Sequence, residues 1–176
     1  LWFDAHADIN TYKESKTKNH HGMVLGYLSG ACKDQKINFI KNKLNLNNLM
    51  YIGLRDTDPY ERNIIENNNI NIITSRECNN QTDMVINKIK DFVGNHDVHV
   101  SFDVDILDPH IMKSTGTPVT FGTNISSTRI IINIILSDLN VTNLDICELN
   151  LDIGDKNSKQ RSLDAVLEIF KNSLFN

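Results

Sequence analysis

The feature that most limits what this chain can fold into is a hydrophobic period that keeps switching. Short apolar runs alternate with longer stretches whose apolar residues recur every three or four positions. That alternation is the βαβ signature of a parallel sheet covered by helices. The runs are Leu1-Trp2-Phe3, Leu49 to Leu54, Ile70 to Ile73, Val98 to Phe102 and Val141 to Cys147. Between them the spacing predicts helices over Met23 to about Ala31, Ile37 to Leu44 (the weaker pattern), Pro59 to Glu66, Thr82 to Phe92, Ser127 to Leu136 and Ser162 to Leu174. Asp58 before Pro59 is a helix-start signal, because proline fits the first helical turn. The expectation is an α/β fold, a three-layer parallel sheet of five strands flanked by helices. With no repeat and no Pro/Gly/Ser linker, residues 1–176 read as a single domain. Asparagine is unusually frequent, about two dozen residues. Its clusters at Asn42 to Asn48, Asn67 to Asn69 and Asn79-Asn80 are expected between elements, where turn conformations suit it.

A parallel sheet binds ligands outside the carboxyl ends of its strands. Two segments put carboxylates there: Asp4-Ala5-His6-Ala7-Asp8-Ile9-Asn10, and Ser101-Phe102-Asp103-Val104-Asp105-Ile106-Leu107-Asp108-Pro109. Side chains alternate along a strand, so an extended backbone would point Asp4, His6 and Asp8 one way, and Asp103 and Asp105 likewise. Either segment alone is a common strand-end or cap pattern; together they crowd four carboxylates and an imidazole into one volume. Burial and mutual repulsion would neutralise some of them unless cations intervene. Hard oxygen donors with one imidazole suit Mn²⁺ better than structural zinc. Two carboxylates bridging ions ~3.5–4 Å apart would make a binuclear hydrolase site.

Composition excludes other classes. The net charge of −4, without an extended Lys/Arg block, argues against nucleic acid or an anionic membrane as the main partner. No apolar run approaches the ~20 residues of a membrane span. Cys32, Cys78 and Cys147 are widely spaced and odd in number, which fits free thiols in a reducing compartment such as the cytoplasm or the mitochondrial matrix. The chain opens at Leu1 directly in a core strand, so the parent protein is expected to carry a further N-terminal part.

The remaining polar residues signal less by themselves. His20-His21-Gly22 lies in a polar loop, and Asp145 and Glu148 bracket the end of the last strand, where a carboxylate could face the same crevice or cap a helix. Cys147 is expected to be a small buried core residue. His96, His99 and His110 are expected to be structural or exposed.

At these residues the sequence resembles the ureohydrolase family, and within it the arginases. DAHADIN and SFDVDILDP are similar to two of that family's metal motifs. The likeness continues through Asn19-His20-His21-Gly22, Tyr51 to Pro59 (YIGLRDTDP), Thr115-Gly116-Thr117-Pro118 and Leu144 to Asn150 (LDICELN), in the family's order. The resemblance implies two Mn²⁺ ions bridged by Asp4 and Asp103, one also held by Asp8 and the other by His6 and Asp105. It implies hydrolysis of L-arginine to L-ornithine and urea. Asp8, His21 and Glu148 would be catalytic: a carboxylate serving the nucleophile and leaving amine, a proton shuttle, and the partner of the guanidinium. Asn10, Thr17, Asn19, Asp58, Glu61 and Thr117 match substrate-binding positions. A homo-oligomer, a trimer, is implied as well.

There are departures from the family pattern. A further metal-binding His of a G-G-D-H-S-type motif lies upstream of DAHADIN in the family, and no such segment occurs here. The family's Ser-Gly-Asn loop reads Thr17-Lys18-Asn19, and Leu151 stands where Pro is usual. The family's sheet has eight strands, so five strands would leave the last one exposed at an edge. Two other readings remain beside arginine hydrolysis. One is a sibling ureohydrolase acting on agmatine or another guanidino compound, against which Asp58 argues, since agmatine has no α-amino acid head. The other is a metal-binding paralogue without catalysis, which has no physical need of crowded carboxylates.

Overall fold

A computed structural model describes residues 1–33, 37 and 39–174, with side chains through Lys171. Five strands form one parallel sheet: β1 (Trp2–Phe3), β2 (Met50–Ile52), β3 (Asn71–Ile73), β4 (Val98–Asp103) and β5 (Val141–Cys147). Their order is β3-β2-β1-β4-β5. The chain runs outward from β1 to β3, then returns to place β4 on the other side of β1. The order therefore reverses beside β1, and a crevice at the carboxyl ends of β1 and β4 is the expected ligand position of such a sheet.

Strand alternation sorts side chains onto two faces. Phe3, Met50, Ile52, Val98, Val100 and Phe102 enter the larger core. Over it pack α4 (Thr82–Val93), α5 (Ile125–Asp138) and α6 (Lys156–Leu174), through Ile89, Ile132 and Phe170 among others. Phe102 lies edge-on to Phe170, ring centroids 5.1 Å apart. On the other face Tyr51 and Leu49 meet Leu25 of α1 (Val24–Ser29) and Ile65 of α2 (Pro59–Asn67). The three-layer expectation holds.

Several boundaries differ from the sequence reading. A 3-10 turn at His21–Met23 precedes α1, and Gly30, with φ +82°, ends it. The weaker helix over Ile37 to Leu44 falls partly on residue 38, outside the described residues; 40–44 are not helical. A sixth helix, α3 (Ser75–Asn80), joins β3 to α4. Thr74 and Glu77 start it with a reciprocal cap, each side chain bonding the other's backbone N–H. Asn79-Asn80 thus lie in a helix, not between elements. Asn79 has specific work there: its Oδ1 accepts from the Asn124 backbone N–H and its Nδ2 donates to Gly122 O.

Cys147 corrects the expectation of a buried core residue: it is exposed. The cause is topological, since β5 is the outermost strand and pairs only through β4. Apart from Val141 and Leu144, which touch the main core, its residues lie outside it.

Candidate metal and substrate site

The carboxylates do gather, but not along extended strands. After Phe3 the chain turns, and Asp4 Oδ1 accepts the His6 N–H at 2.6 Å. Asp8 then takes a left-handed conformation, φ 49°, which a non-glycine residue adopts only at a cost of about 1–3 kcal/mol. Its carbonyl accepts from Leu25 N (2.8 Å) at the start of α1, and this contact helps hold the bend. At the end of β4, Asp103 caps a 3-10 turn, Val104–Ile106, by accepting the Asp105 N–H at 2.8 Å. The alternation argument expected these residues to converge along extended strands, and the local geometry differs from that expectation. Turns, rather than pleats, aim these side chains inward.

The cluster divides into two parts. His6 Nδ1 lies 3.0 Å from Asp105 Oδ2 and 3.4 Å from Asp4 Oδ1. Asp105 Oδ1 also accepts the Ala5 N–H at 3.1 Å. Burial alone would raise the Asp105 carboxyl, but the bond and charge of His6, with the Ala5 N–H and Asp4, together outweigh it and hold Asp105 below the ordinary range. Burial likewise works against the His6 proton, yet bonds to Asp105 and Asp4 push the imidazole up to about 11. Asp4 rises to about 6, chiefly through burial. Asp8 and Asp103 fare differently. Burial first, then the nearby Asp4 charge, drives Asp8 up to about 8 and Asp103 to about 9. One side of the site is thus internally compensated, and the other holds carboxyls that resist ionising without a cation. Ligand atoms of Asp4, His6 and Asp105 lie within 4.8 Å of one another, a grouping able to hold a metal ion.

A cavity of about 1020 Å³ opens above the cluster. Asp4, His6, Asp8 and Asp103 line it, as do Asn10, Thr17, His21, Asp58, Glu61, Thr117 and Glu148. Asp105 sits behind His6 with 1% of its surface exposed. Asn19 is exposed on the Thr17–His21 loop and does not belong to the lining; its N–H reaches Thr17 Oγ1 at 3.4 Å.

Each further residue is placed by a local device. Asp58 N-caps α2, and Asn10 Nδ2 donates to its Oδ2 at 2.8 Å. Glu61, buried, accepts the Asp58 N–H (2.9 Å) and the Ile9 N–H (3.2 Å), tying the Asp8–Asn10 bend to α2. Thr117 Oγ1 reaches Asp105 Oδ2 at 3.4 Å. Glu148 follows β5 with φ 63°, a second strained backbone in the site. A Cβ on Gly116 would approach Glu148 Oε2 to 3.8 Å, so the Gly116 loop lies against that carboxylate.

Sequence reasoning missed two groups here. Asp56 lines the cavity 3.9 Å from His6 Nε2, and Arg55 lies between the ligand-bearing turns; both stand inside YIGLRDTDP, whose run of charges after a buried strand was the available signal. His99, expected to be structural or exposed, is exposed and pairs with Asp145 at 2.6 Å.

A parallel sheet with a buried carboxylate–imidazole cluster at its switch point defines an α/β protein with a candidate metal site at its strand ends. The chain belongs to the arginase family, whose model matches residues 1–171. It is 34% identical to the arginase of Neurospora crassa over 164 residues, 89% of this chain and 46% of that protein. It is 31% identical to an arginase of Schizosaccharomyces pombe, covering 99% of this chain and 56% of the relative. The crystal structure of Entamoeba histolytica arginase in complex with L-ornithine superposes with a TM-score of 0.87 at 29% identity, covering 96% of this chain and 58% of that one. The chain spans about half the length of the curated relatives it matches. Among the described residues, no helix is long and apolar enough to cross a membrane.

Proposed function

We propose that the whole protein hydrolyses the guanidino group of L-arginine, releasing urea and L-ornithine, with a pair of Mn²⁺ ions. The observation that carries this reading is one cavity holding both a metal-ligand cluster and the polar groups suited to an amino-acid head. The donor set fits the metal: hard carboxylates with one imidazole, two of the carboxyls raised toward neutrality for want of a cation. Asp4, His6, Asp8, Asp103 and Asp105 would hold the ions. The pair, when bound, would activate water and polarise the guanidino carbon.

The chain's own residues supply the rest. A guanidinium stays charged at any working pH, so only a fixed anion can orient it; Glu148, held by its strained backbone, is that anion. Asp58 addresses the α-amino group, with its carboxylate steadied by Asn10 and its backbone by Glu61. Asn10, Thr17 and Thr117 contribute hydrogen bonds to the head and to the cavity wall, and Asn19 supports the Thr17 loop from outside the lining. His21 sits exposed where it can exchange protons with solvent, and with Asp8 it serves the departing amine. A homotrimer in the cytoplasm or mitochondrial matrix completes the reading; the free thiols of Cys32, Cys78 and Cys147 suit such a compartment.

The test is urea release from L-arginine and from agmatine at matched concentrations, with Mn²⁺ supplied. A site with polar groups built for a head group rejects an analogue lacking it by ~10⁴-fold or more. Agmatine turning over as well as L-arginine would overturn the assignment in favour of a sibling ureohydrolase.

A further inference from the structure

Arg55 makes an unusual set of contacts. Its backbone N–H and that of Asp56 both donate to Ala5 O, at 3.0 and 2.9 Å, so its main chain is fastened to the first acidic segment. Its guanidinium reaches the second. Nη2 donates to Asp105 O at 2.7 Å and to Val119 O at 2.8 Å. Nη1 donates to Gly53 O at 3.1 Å and, more weakly, to Ile106 O at 3.3 Å. Nε donates to Thr120 O at 3.1 Å. Every one of these bonds ends on a backbone carbonyl, although Asp4, Asp56, Asp105 and Asp108 are near enough to favour its charge.

Three stretches of chain therefore share one planar cation: the end of β2, the 3-10 turn that carries Asp105, and the loop from Thr117 to Thr123. None of the three is α-helix or strand where Arg55 meets it. The turn has its own bonds, Asp105 N–H to Asp103 Oδ1 and Leu107 N–H to Val104 O. Such a turn is short, and an outside clamp decides how rigidly its side chains are aimed. The rigid, forked donor set of arginine suits several carbonyls at fixed angles; a lysine ammonium would satisfy only some of them.

Resting on the metal reading above, we propose that Arg55 is a positioning residue: it fixes the Asp105 turn and the Thr117 loop to the Asp4–Asp8 segment, and so sets how tightly the site holds Mn²⁺. It touches neither metal nor substrate. Its effect passes through the aim of Asp105 and, by way of Thr117, the cavity wall.

The experiment compares the unaltered chain with Arg55→Lys and with a core control, Ile89→Val, which lowers stability far from the site. Two readouts are taken. The first is Mn²⁺ affinity by calorimetry. Loss of a group that orients a ligand typically costs 10–100-fold in metal affinity, and a fall of at least about tenfold is expected for Arg55→Lys. The control should leave affinity within about twofold. The second is amide hydrogen exchange without metal. Exchange over residues 103–107 and 117–123 should quicken by about tenfold or more in Arg55→Lys, with α4 unchanged.

Wild-type affinity together with unchanged exchange would overturn the proposal. A loss of affinity matched by Ile89→Val would also overturn it, since stability alone would then explain it. If Arg55→Lys does not fold, Arg55→Gln carries the same readouts; failure of both variants to fold assigns Arg55 a general structural role and rejects the positioning one. If even the unaltered chain binds no Mn²⁺, the metal reading fails, while hydrogen exchange still decides whether Arg55 clamps the two loops.

Discussion

The two sides of the carboxylate cluster were built by the same kind of turn and yet ended in opposite electrostatic states. On one side Asp105 has an imidazole at 3.0 Å and a backbone N–H at 3.1 Å, and its carboxyl is pulled below the ordinary range. On the other, Asp103 sits in the same 3-10 turn, accepts one backbone N–H, and is driven up to about 9 by burial and the charges of Asp4 and Asp105. Asp8 shares its fate. A protein interior gathers carboxylates readily, but each ionises only where a positive partner has been arranged. In the compensated part the His6 proton is that partner. In the other no such partner is arranged among the described residues, so Asp8 and Asp103 keep their protons to about 8 and about 9 unless a cation is supplied.

The comparison breaks most visibly at Asp105. Asp105→Asn removes the anion that holds the His6 proton and accepts the Ala5 N–H, and it also removes a proposed metal ligand. Mn²⁺ affinity is expected to fall by more than ~100-fold, beyond the range usual for outer contacts. Calorimetric titration checks this, and normal binding by Asp105→Asn would end the reading of that turn as a metal segment. In the unaltered chain, the ion served by His6 and Asp105 should bind more tightly than the one served by Asp8, because only the former has an imidazole among the residues assigned to it. Two equal affinities would erase the difference between the two parts.

Protons sharpen the comparison next. Asp8, Asp103 and His6 all have folded pKa values above their ordinary ones. Each group thus binds more protons folded than unfolded between those two values, so metal-free stability must fall as pH rises. For the two carboxyls the loss sets in above their ordinary value near 3.8 and is complete by about 8 and about 9. For His6 the stabilisation is fully present below 6.5 and disappears toward about 11. Mn²⁺ replaces those protons, so its stabilising effect should grow over the same interval. Melting curves at several pH values with and without Mn²⁺ test this: the gap in Tm should widen from pH 6 to pH 9, bounds taken from Asp4 and Asp103. A gap that narrows with pH would mean that the raised carboxyls are not where the ions bind.

A smaller effect is expected at the head-group end of the cavity. Asp58→Ala removes an anion and leaves the Asn10 amide without its 2.8 Å acceptor. The preference for L-arginine over agmatine should shrink by about tenfold to a hundredfold, chiefly through a higher KM for L-arginine, with metal affinity unchanged. An unchanged preference would move head-group recognition elsewhere in the lining.

Much of this was legible before any coordinates, for reasons that differ from residue to residue. The strands follow from short apolar runs, which is why the segments holding Phe3, Tyr51 and Phe102 could be read as strands in advance. The acidic segments stood out because two of them, each a common pattern alone, fall at two strand ends of one parallel sheet. What could not be read was local conformation: nothing in the side chain of Asp8 announces φ 49°, which tertiary contacts with α1 impose. The short α3 carried a legible cap in Thr74 and Glu77, but six helical residues are too few for a period to show. Cys147 was misread because burial of a strand residue depends on what covers the strand, not on the strand's own composition. Arg55 was hidden for a related reason, since its partners are carbonyls, and every residue has one.

The smallest expected effect separates two aspartates three positions apart. Asp108 ends the segment that Asp105 begins, and a motif alone cannot tell their roles apart. Its oxygens face outward work: Oδ1 accepts from the His110 N–H (3.0 Å) and meets His110 Nδ1 (2.7 Å), while Oδ2 accepts the Gly122 N–H (3.1 Å). Those bonds hold its carboxyl below the ordinary range despite the opposing effect of partial burial. Asp108 therefore closes the loop between residues 108 and 122, and an amide could still accept only part of that set. Asp108→Asn should cost about 1 kcal/mol, in line with a weakened charged acceptor, and lower Tm by about 2–4 °C. Mn²⁺ affinity should stay within about twofold, because the bonds that aim Asp105 run through Arg55 and Asp103 and do not pass through Asp108. Measured beside Asp105→Asn, the variant turns one motif into two separable functions. A metal-affinity loss in Asp108→Asn approaching that of Asp105→Asn would show that the segment acts as one unit, and that its charge as a whole, not the aim of one carboxylate, governs the site.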